Sequence, residues 1–154
     1  LALQADFILD LHEGWGYHRI QPDSMGSGIY PGDTKLSLEV ATKLANHLNK
    51  NINADYKKFV VGYNNHPELN SLRSFCVLHN RNYILVETTG QNNIQPLDVR
   101  VPQHLDVIYE TFRLLKILKI RHNIQKVKKL LKKKWQMLKI TFIYLNLKKN
   151  MMQY

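Results

Sequence analysis

The chain reads as an α/β domain built on a largely parallel or mixed sheet, and three observations carry that reading. The runs Asp6-Phe7-Ile8-Leu9-Asp10-Leu11 and Tyr83-Ile84-Leu85-Val86 have the length and the apolar, β-branched content of buried strands. Between them Leu36, Val40, Leu44 and Leu48 recur at the helical period. Strand-like and helix-like segments then alternate along the chain, as a sheet flanked by helices requires.

Each element has its own justification. Ala5 to Leu11 is expected to be a buried strand, and Gly14 to Asp33, rich in Gly, Pro, Ser and Asp, a long loop that lines a site. An amphipathic helix should follow through Asn49, with Thr34 or Ser37 available as its cap. Lys58 to Tyr63 reads as a second strand, Gly62 to Asn70 as a loop, and Ser71 to His79 as a short helix leading into the strand Tyr83 to Thr88. After Gly90 a polar turn ends at Pro96, and from Val101 a helix carries Leu105, Ile108, Phe112 and Leu115 on one face.

A length of 154 residues with 44% hydrophobic content suits one domain with a real core. The chain opens at Leu1, without a methionine, almost directly into an apparent central strand, which predicts an internal fragment. Cys76 is the single cysteine: it excludes an internal disulfide and a cysteine-only metal cluster, and it fits a reducing, cytoplasmic setting.

Charge is unevenly placed. Of the net +10, residues 1–112 contribute nine Lys/Arg against twelve Asp/Glu, a balance of −3, and residues 113–154 contribute thirteen Lys/Arg and no acid. The body of the chain therefore has no electrostatic need of nucleic acid. Past Arg113 no Gly, Pro, Ala, Ser, Asp or Glu occurs. Leu114, Ile117, Leu118, Arg121, Ile124, Val127, Leu130, Leu131, Trp135 and Leu138 keep helical spacing with lysines between them, as a basic amphipathic helix on an anionic membrane, nucleic acid or acidic partner would. The same restricted residue set also follows from an A/T-rich coding stretch read in a shifted frame. The expected organisation is a body over 1–118 and a basic helical or disordered tail over 119–154.

Two side chains carry the candidate chemistry. His12 stands just past one apolar run and Glu87 at the end of the other, so two strands can present an imidazole and a carboxylate on one rim of a sheet. A hydrolytic zinc site needs such groups: neutral imidazole or carboxylate ligands, an open position for water, and a base. Asp10, two residues before His12 on the same strand face, is placed to orient the ring. Bland alternatives stand beside each: His12 as a hydrogen-bonded strand-end histidine, Glu87 in a salt bridge, and Arg73 capping or solvating a helix. Arg100 is expected to pair with Asp98 or Glu68. His18, His47, His66, His79, His104 and His122 lack mutual ligand spacing and are expected at the surface or in the core.

Asp10-Leu11-His12, followed downstream by Val86-Glu87-Thr88-Thr89-Gly90, resembles the later half of the zinc carboxypeptidase superfamily, including its succinylglutamate desuccinylase and aspartoacylase branch. The run Leu11-His12-Glu13-Gly14-Trp15-Gly16-Tyr17 is also similar to that of carboxypeptidases that trim peptidoglycan peptides. The resemblance covers about residues 5–118. It implies a three-layer zinc-exopeptidase-like fold, truncated at its N-terminus, with His12 as the last zinc ligand and Glu87 as the catalytic base. Leu72-Arg73-Ser74-Phe75 resembles the segment that holds a substrate carboxylate, which implies that role for Arg73. The family's His-x-x-Glu motif is missing: His66-Pro67-Glu68 has the wrong spacing, and His79 is followed three residues later by Asn82. The resemblance thus implies that the first two ligands lie before Leu1, and that the chain by itself is inactive. Two functions follow as expectations. One is part of a zinc-dependent hydrolase cleaving an amide bond next to a free carboxylate, on a peptide or an N-acyl amino acid. The other is a non-catalytic remnant whose basic tail binds an anionic membrane or nucleic acid.

Overall fold

The computed structural model describes residues 5–62 and 71–117, which belong to one compact unit, Leu1–Ile117. The basic segment 119–154 lies outside the described residues. Among the described residues the order is β1 (Ile8–Gly14), β2 (Gly28–Pro31), α1 (Lys35–Asn49), β3 (Val60–Val61), α2 (Leu72–Leu78), β4 (Tyr83–Thr89) and α3 (Leu97–Leu114). The four strands form one mixed sheet in the order β1-β4-β2-β3. β1 runs parallel to β4, β2 antiparallel to β4, and β3 parallel to β2. The mixed α/β class expected from the sequence is the one observed.

β4 organises the core because every one of its seven residues is buried. Its side chains alternate between two apolar clusters, as a pleated strand must arrange them. Ile84 and Val86 join Ile29, Phe59, Val107 of α3, and Val40, Ala41, Leu44, Ala45 and Leu48 of α1, with Leu9 and Leu11 of β1 leaning on the group. Tyr83 and Leu85 join Tyr30 and Cys76, with Ile8 and Met25 beside them. A strand covered on both faces reads in sequence as an unbroken apolar run, which is why this one was plain.

α1 starts where Thr34 accepts a hydrogen bond from the Ser37 backbone N–H at 3.1 Å, the expected cap. Ser37 in turn accepts from the backbone N–H of Tyr83 at 2.9 Å, tying the first turn of the helix to the start of β4. Ser71 caps α2 in the same way, accepting from Ser74 at 3.1 Å.

Four boundaries differ from expectation. β1 runs on to Gly14, so His12 lies inside a paired strand rather than just past one. β2 arises within the segment read as loop: four residues holding a glycine and a proline show no alternation, and only pairing with β4 makes them a strand. β3 shrinks from Lys58–Tyr63 to Val60–Val61, and Tyr63 lies outside the described residues. α3 begins at Leu97, four residues early, and its buried positions are Arg100, Val107, Glu110 and Thr111 rather than the apolar set Leu105, Ile108 and Phe112. Paired charges take that face: Glu110 accepts from Arg113 at 2.5 and 2.7 Å, and His47 of α1 lies 3.8 Å away.

Leu44 is fully buried and Leu38 on the same helix is 39% exposed. Chemical denaturation should show Leu44→Ala losing about 2–5 kcal/mol and Leu38→Ala less than about 1 kcal/mol. Equal losses would contradict the assigned faces of α1.

Candidate functional site

Parallel pairing sets His12 directly opposite Glu87, one register step before Glu13 and Thr88. Partners on adjacent parallel strands project to the same face, so the imidazole and the carboxylate share one side of the sheet. His12 Nδ1 lies 3.8 Å from Glu87 Oε1, and Nε2 lies 2.9 Å from Asp10 Oδ1. Asp10 also accepts the Tyr83 hydroxyl at 2.8 Å. A carboxylate is acceptor only, so Asp10 favours the tautomer with its proton on Nε2 and leaves the Nδ1 lone pair facing Glu87. The expected orienting role of Asp10 thus has a geometric basis.

The two partners differ in environment. The His12 side chain is 55% exposed, whereas Glu87 is buried and its Oε2 has no hydrogen-bond partner among the described residues. Burial, the largest cause, raises the Glu87 carboxyl above the usual carboxylate range; His12 opposes the shift, while Asp10 and Glu13 add to it. Tyr30 on β2 borders the same site. Its hydroxyl donates to Met25 O at 3.1 Å and is pushed up to about 12 by burial and then by Glu87.

The segment between β1 and β2 closes over these strand ends. Ser24 Oγ accepts from Gly16 N at 2.8 Å and donates to Gly16 O at 2.9 Å, pinning the loop on itself. Ser27 Oγ lies 3.0 Å from Thr89 Oγ1, two residues beyond Glu87 and on the same strand face. Gly14 and Gly26 approach so closely that a Cβ on either would collide with backbone.

Arg73 lies elsewhere. It is buried on α2, and its Nη2 donates to Pro31 O at 3.3 Å. Pro31 pairs with Ile84, three residues from Glu87 along β4, a separation of about 10 Å at the rise of a strand. The structure therefore gathers His12, Asp10 and Glu87 and places Arg73 toward the other end of β4.

On the opposite face the same strand ends carry a polar cluster that the sequence reading missed. Arg100, buried on α3, ion-pairs with Glu13 rather than with the expected Asp98; Glu68, the other expected partner, lies outside the described residues. His104 Nε2 lies 3.1 Å from Thr88 Oγ1, and burial, the chief cause, pushes its imidazole below the ordinary value. The signal was present: Arg100, His104, Val107 and Thr111 follow one helical stripe, but three polar residues in it hid the core-facing side.

As a metal site the arrangement is partial. Among the described residues no group of three or more His, Cys, Asp or Glu side chains is placed to hold an ion. What they bring together is one imidazole and a neighbouring carboxylate.

The raised Glu87 carboxyl has a consequence for folding. The native state holds this proton more tightly than the unfolded chain, so the group costs stability once pH passes its ordinary value, and costs nothing below it. Denaturation of wild type and Glu87→Gln from about pH 4 to pH 7 should show the variant gaining on wild type as pH rises. A wild type that gains on the variant over that range would contradict the environment assigned to Glu87.

No protein-family model matches the chain, and no curated protein does. Among solved structures it is similar to the mDAP-bound form of Helicobacter pylori Csd4, a D,L-carboxypeptidase, with a TM-score of 0.63 and 17% sequence identity. The match covers 75% of this chain and 31% of that one, so the chain spans about a third of its structural neighbour. At this identity the likeness is one of fold: a mixed α/β arrangement like that of a peptidase.

Proposed function

We propose that the chain carries part of the catalytic face of a zinc-dependent hydrolase that cleaves an amide bond next to a free carboxylate, either trimming a terminal residue or removing an acyl group from an amino acid. One observation carries the reading: an imidazole whose Nδ1 lies 3.8 Å from a buried carboxylate, both at the same register step of adjacent strands. The fold likeness to a carboxypeptidase, whose structure was determined with bound mDAP, supports the class and a small substrate bearing a carboxylate. α1 and α3 against one face of the sheet, and Cys76 of α2 against the other, are consistent with a three-layer zinc-exopeptidase-like fold.

In this reading His12 supplies one zinc ligand through Nδ1, held in that tautomer by Asp10. The two further ligands implied by the resemblance come from outside the described residues. Zinc bound there would lower the pKa of a coordinated water from 15.7 toward about 7. Glu87 takes a proton from the attacking water and returns it to the leaving amine. Its burial suits both steps, because a carboxylate raised above its ordinary range is a stronger base and holds the proton it takes until the leaving amine receives it. Tyr30, beside Glu87 and firmly protonated, helps close the site from solvent. The resemblance assigns the substrate carboxylate to Arg73, a guanidinium being suited to a bidentate grip.

The test is hydrolysis of N-acyl amino acids and of peptides with a free C-terminus by the complete reading frame that contains this chain, measured with added Zn2+. Glu87→Gln should cut kcat by about 10²–10⁴-fold, and His12→Gln should reduce bound zinc. Hydrolysis that survives Glu87→Gln, or zinc binding indifferent to His12→Gln, would defeat the reading. For Arg73→Lys, steady-state kinetics should give a raised KM with kcat nearly unchanged; an unaltered KM would remove Arg73 from the site.

A further inference from the structure

We propose that Arg100 is a positioning residue for the His12–Glu87 pair, acting through Glu13 from the opposite face of the sheet. The inference takes from the hydrolase reading only the importance of that pair. Among the described residues β4 is the one strand that pairs with β1, so within them a single ladder holds the end of β1. His12, Glu13 and Gly14 form that end, and the chain leaves them into an irregular loop. The residues that must hold an exact geometry are therefore the ones the sheet holds least.

Contacts from α3 and the turn before it make up the difference. Glu13 projects away from His12, and the buried Arg100 guanidinium ion-pairs with it. The pair closes over Gly90, where a Cβ would collide with both the guanidinium and the carboxylate. Gln91 Nε2 donates to Glu13 O at 2.6 Å, and Gly90 N donates to Gly14 O at 3.1 Å. One helical turn past Arg100, His104 meets Thr88, the register partner of Glu13 and the chain neighbour of Glu87. Each member of the pair thus has, beside it in the chain, a residue tethered to α3. Because successive side chains leave a strand on opposite faces, fixing Glu13 fixes the direction in which His12 leaves the backbone. A guanidinium held against a carboxylate is the directional contact such an anchor needs.

The test uses the full chain labelled with nitrogen-15. Imidazole spectra should show His12, assigned by its loss in His12→Gln, as the single Nε2–H tautomer. In Arg100→Met that signature should be lost to a mixture of tautomers. Amide exchange at residues 12–14 should also quicken by about tenfold while the amides of α1 keep their rates. Arg100→Lys, which keeps the charge, should retain the single tautomer. Glu13→Gln, which keeps the shape of the side chain and removes its charge, should behave like Arg100→Met, and it decides the matter if Arg100→Met does not fold. A His12 that keeps one tautomer with unchanged exchange in these variants overturns the proposal. Failure of the hydrolase reading would appear separately, as Zn2+-dependent hydrolysis indifferent to Glu87→Gln, and would leave the tautomer result as it stands.

Discussion

The parallel pairing of β1 with β4 is the constraint on which the rest depends. Its register sorts six side-chain pairs between two faces: Ile8 with Tyr83, Asp10 with Leu85 and His12 with Glu87 on one, and Leu9 with Ile84, Leu11 with Val86 and Glu13 with Thr88 on the other. A slip of one residue would turn His12 toward α3 and bring Glu13 to the site face. Burial prevents the slip, because β4 is covered on both sides and each apolar side chain has a cluster waiting for it.

Polar groups on the site face form a line rather than isolated pairs. The Tyr83 hydroxyl donates to Asp10, Asp10 faces His12 Nε2, and His12 Nδ1 faces Glu87. Burial and then the bond to Asp10 raise the Tyr83 hydroxyl far above its ordinary value, so it remains a donor. The line runs from a donor that stays protonated to a carboxylate whose Oε2 has no partner among the described residues. A buried polar atom without a partner is costly, and sites that must meet a ligand are where proteins tolerate that cost.

α3 shows how charge enters a core. Arg100 and Glu110 are both buried, each against an opposite charge, and Val107 lies between them with no exposed surface. A buried ion pair is a poor source of stability but a good source of position, since breaking it strands one charge in a low-dielectric place. The Arg100–Glu13 pair crosses from helix to strand and so locates the start of α3, whereas Glu110 and Arg113 pair within its last turns, with His47 of α1 3.8 Å from the carboxylate.

Much of this was legible in the residues themselves. The apolar runs named β1 and β4, the 3.6 period named α1, its cap was narrowed to Thr34 or Ser37, and the positions of His12 and Glu87 at the ends of two runs named the pair that meets. β2 could not be read, because Gly28-Ile29-Tyr30-Pro31 becomes a strand only by borrowing the hydrogen-bonding edge of β4. The face of α3 could not be read either, because a periodicity argument counts Arg100 and Glu110 as solvent-facing until their partners are known. The sequence by itself determined which segments bury apolar surface, since that follows from local composition and period. The tertiary structure alone decided which charges lie face to face, that Arg100 answers Glu13 across 87 residues and Arg73 answers the Pro31 carbonyl across 42, because a Coulombic or hydrogen-bonded partner is chosen by distance in space and leaves no period in the chain.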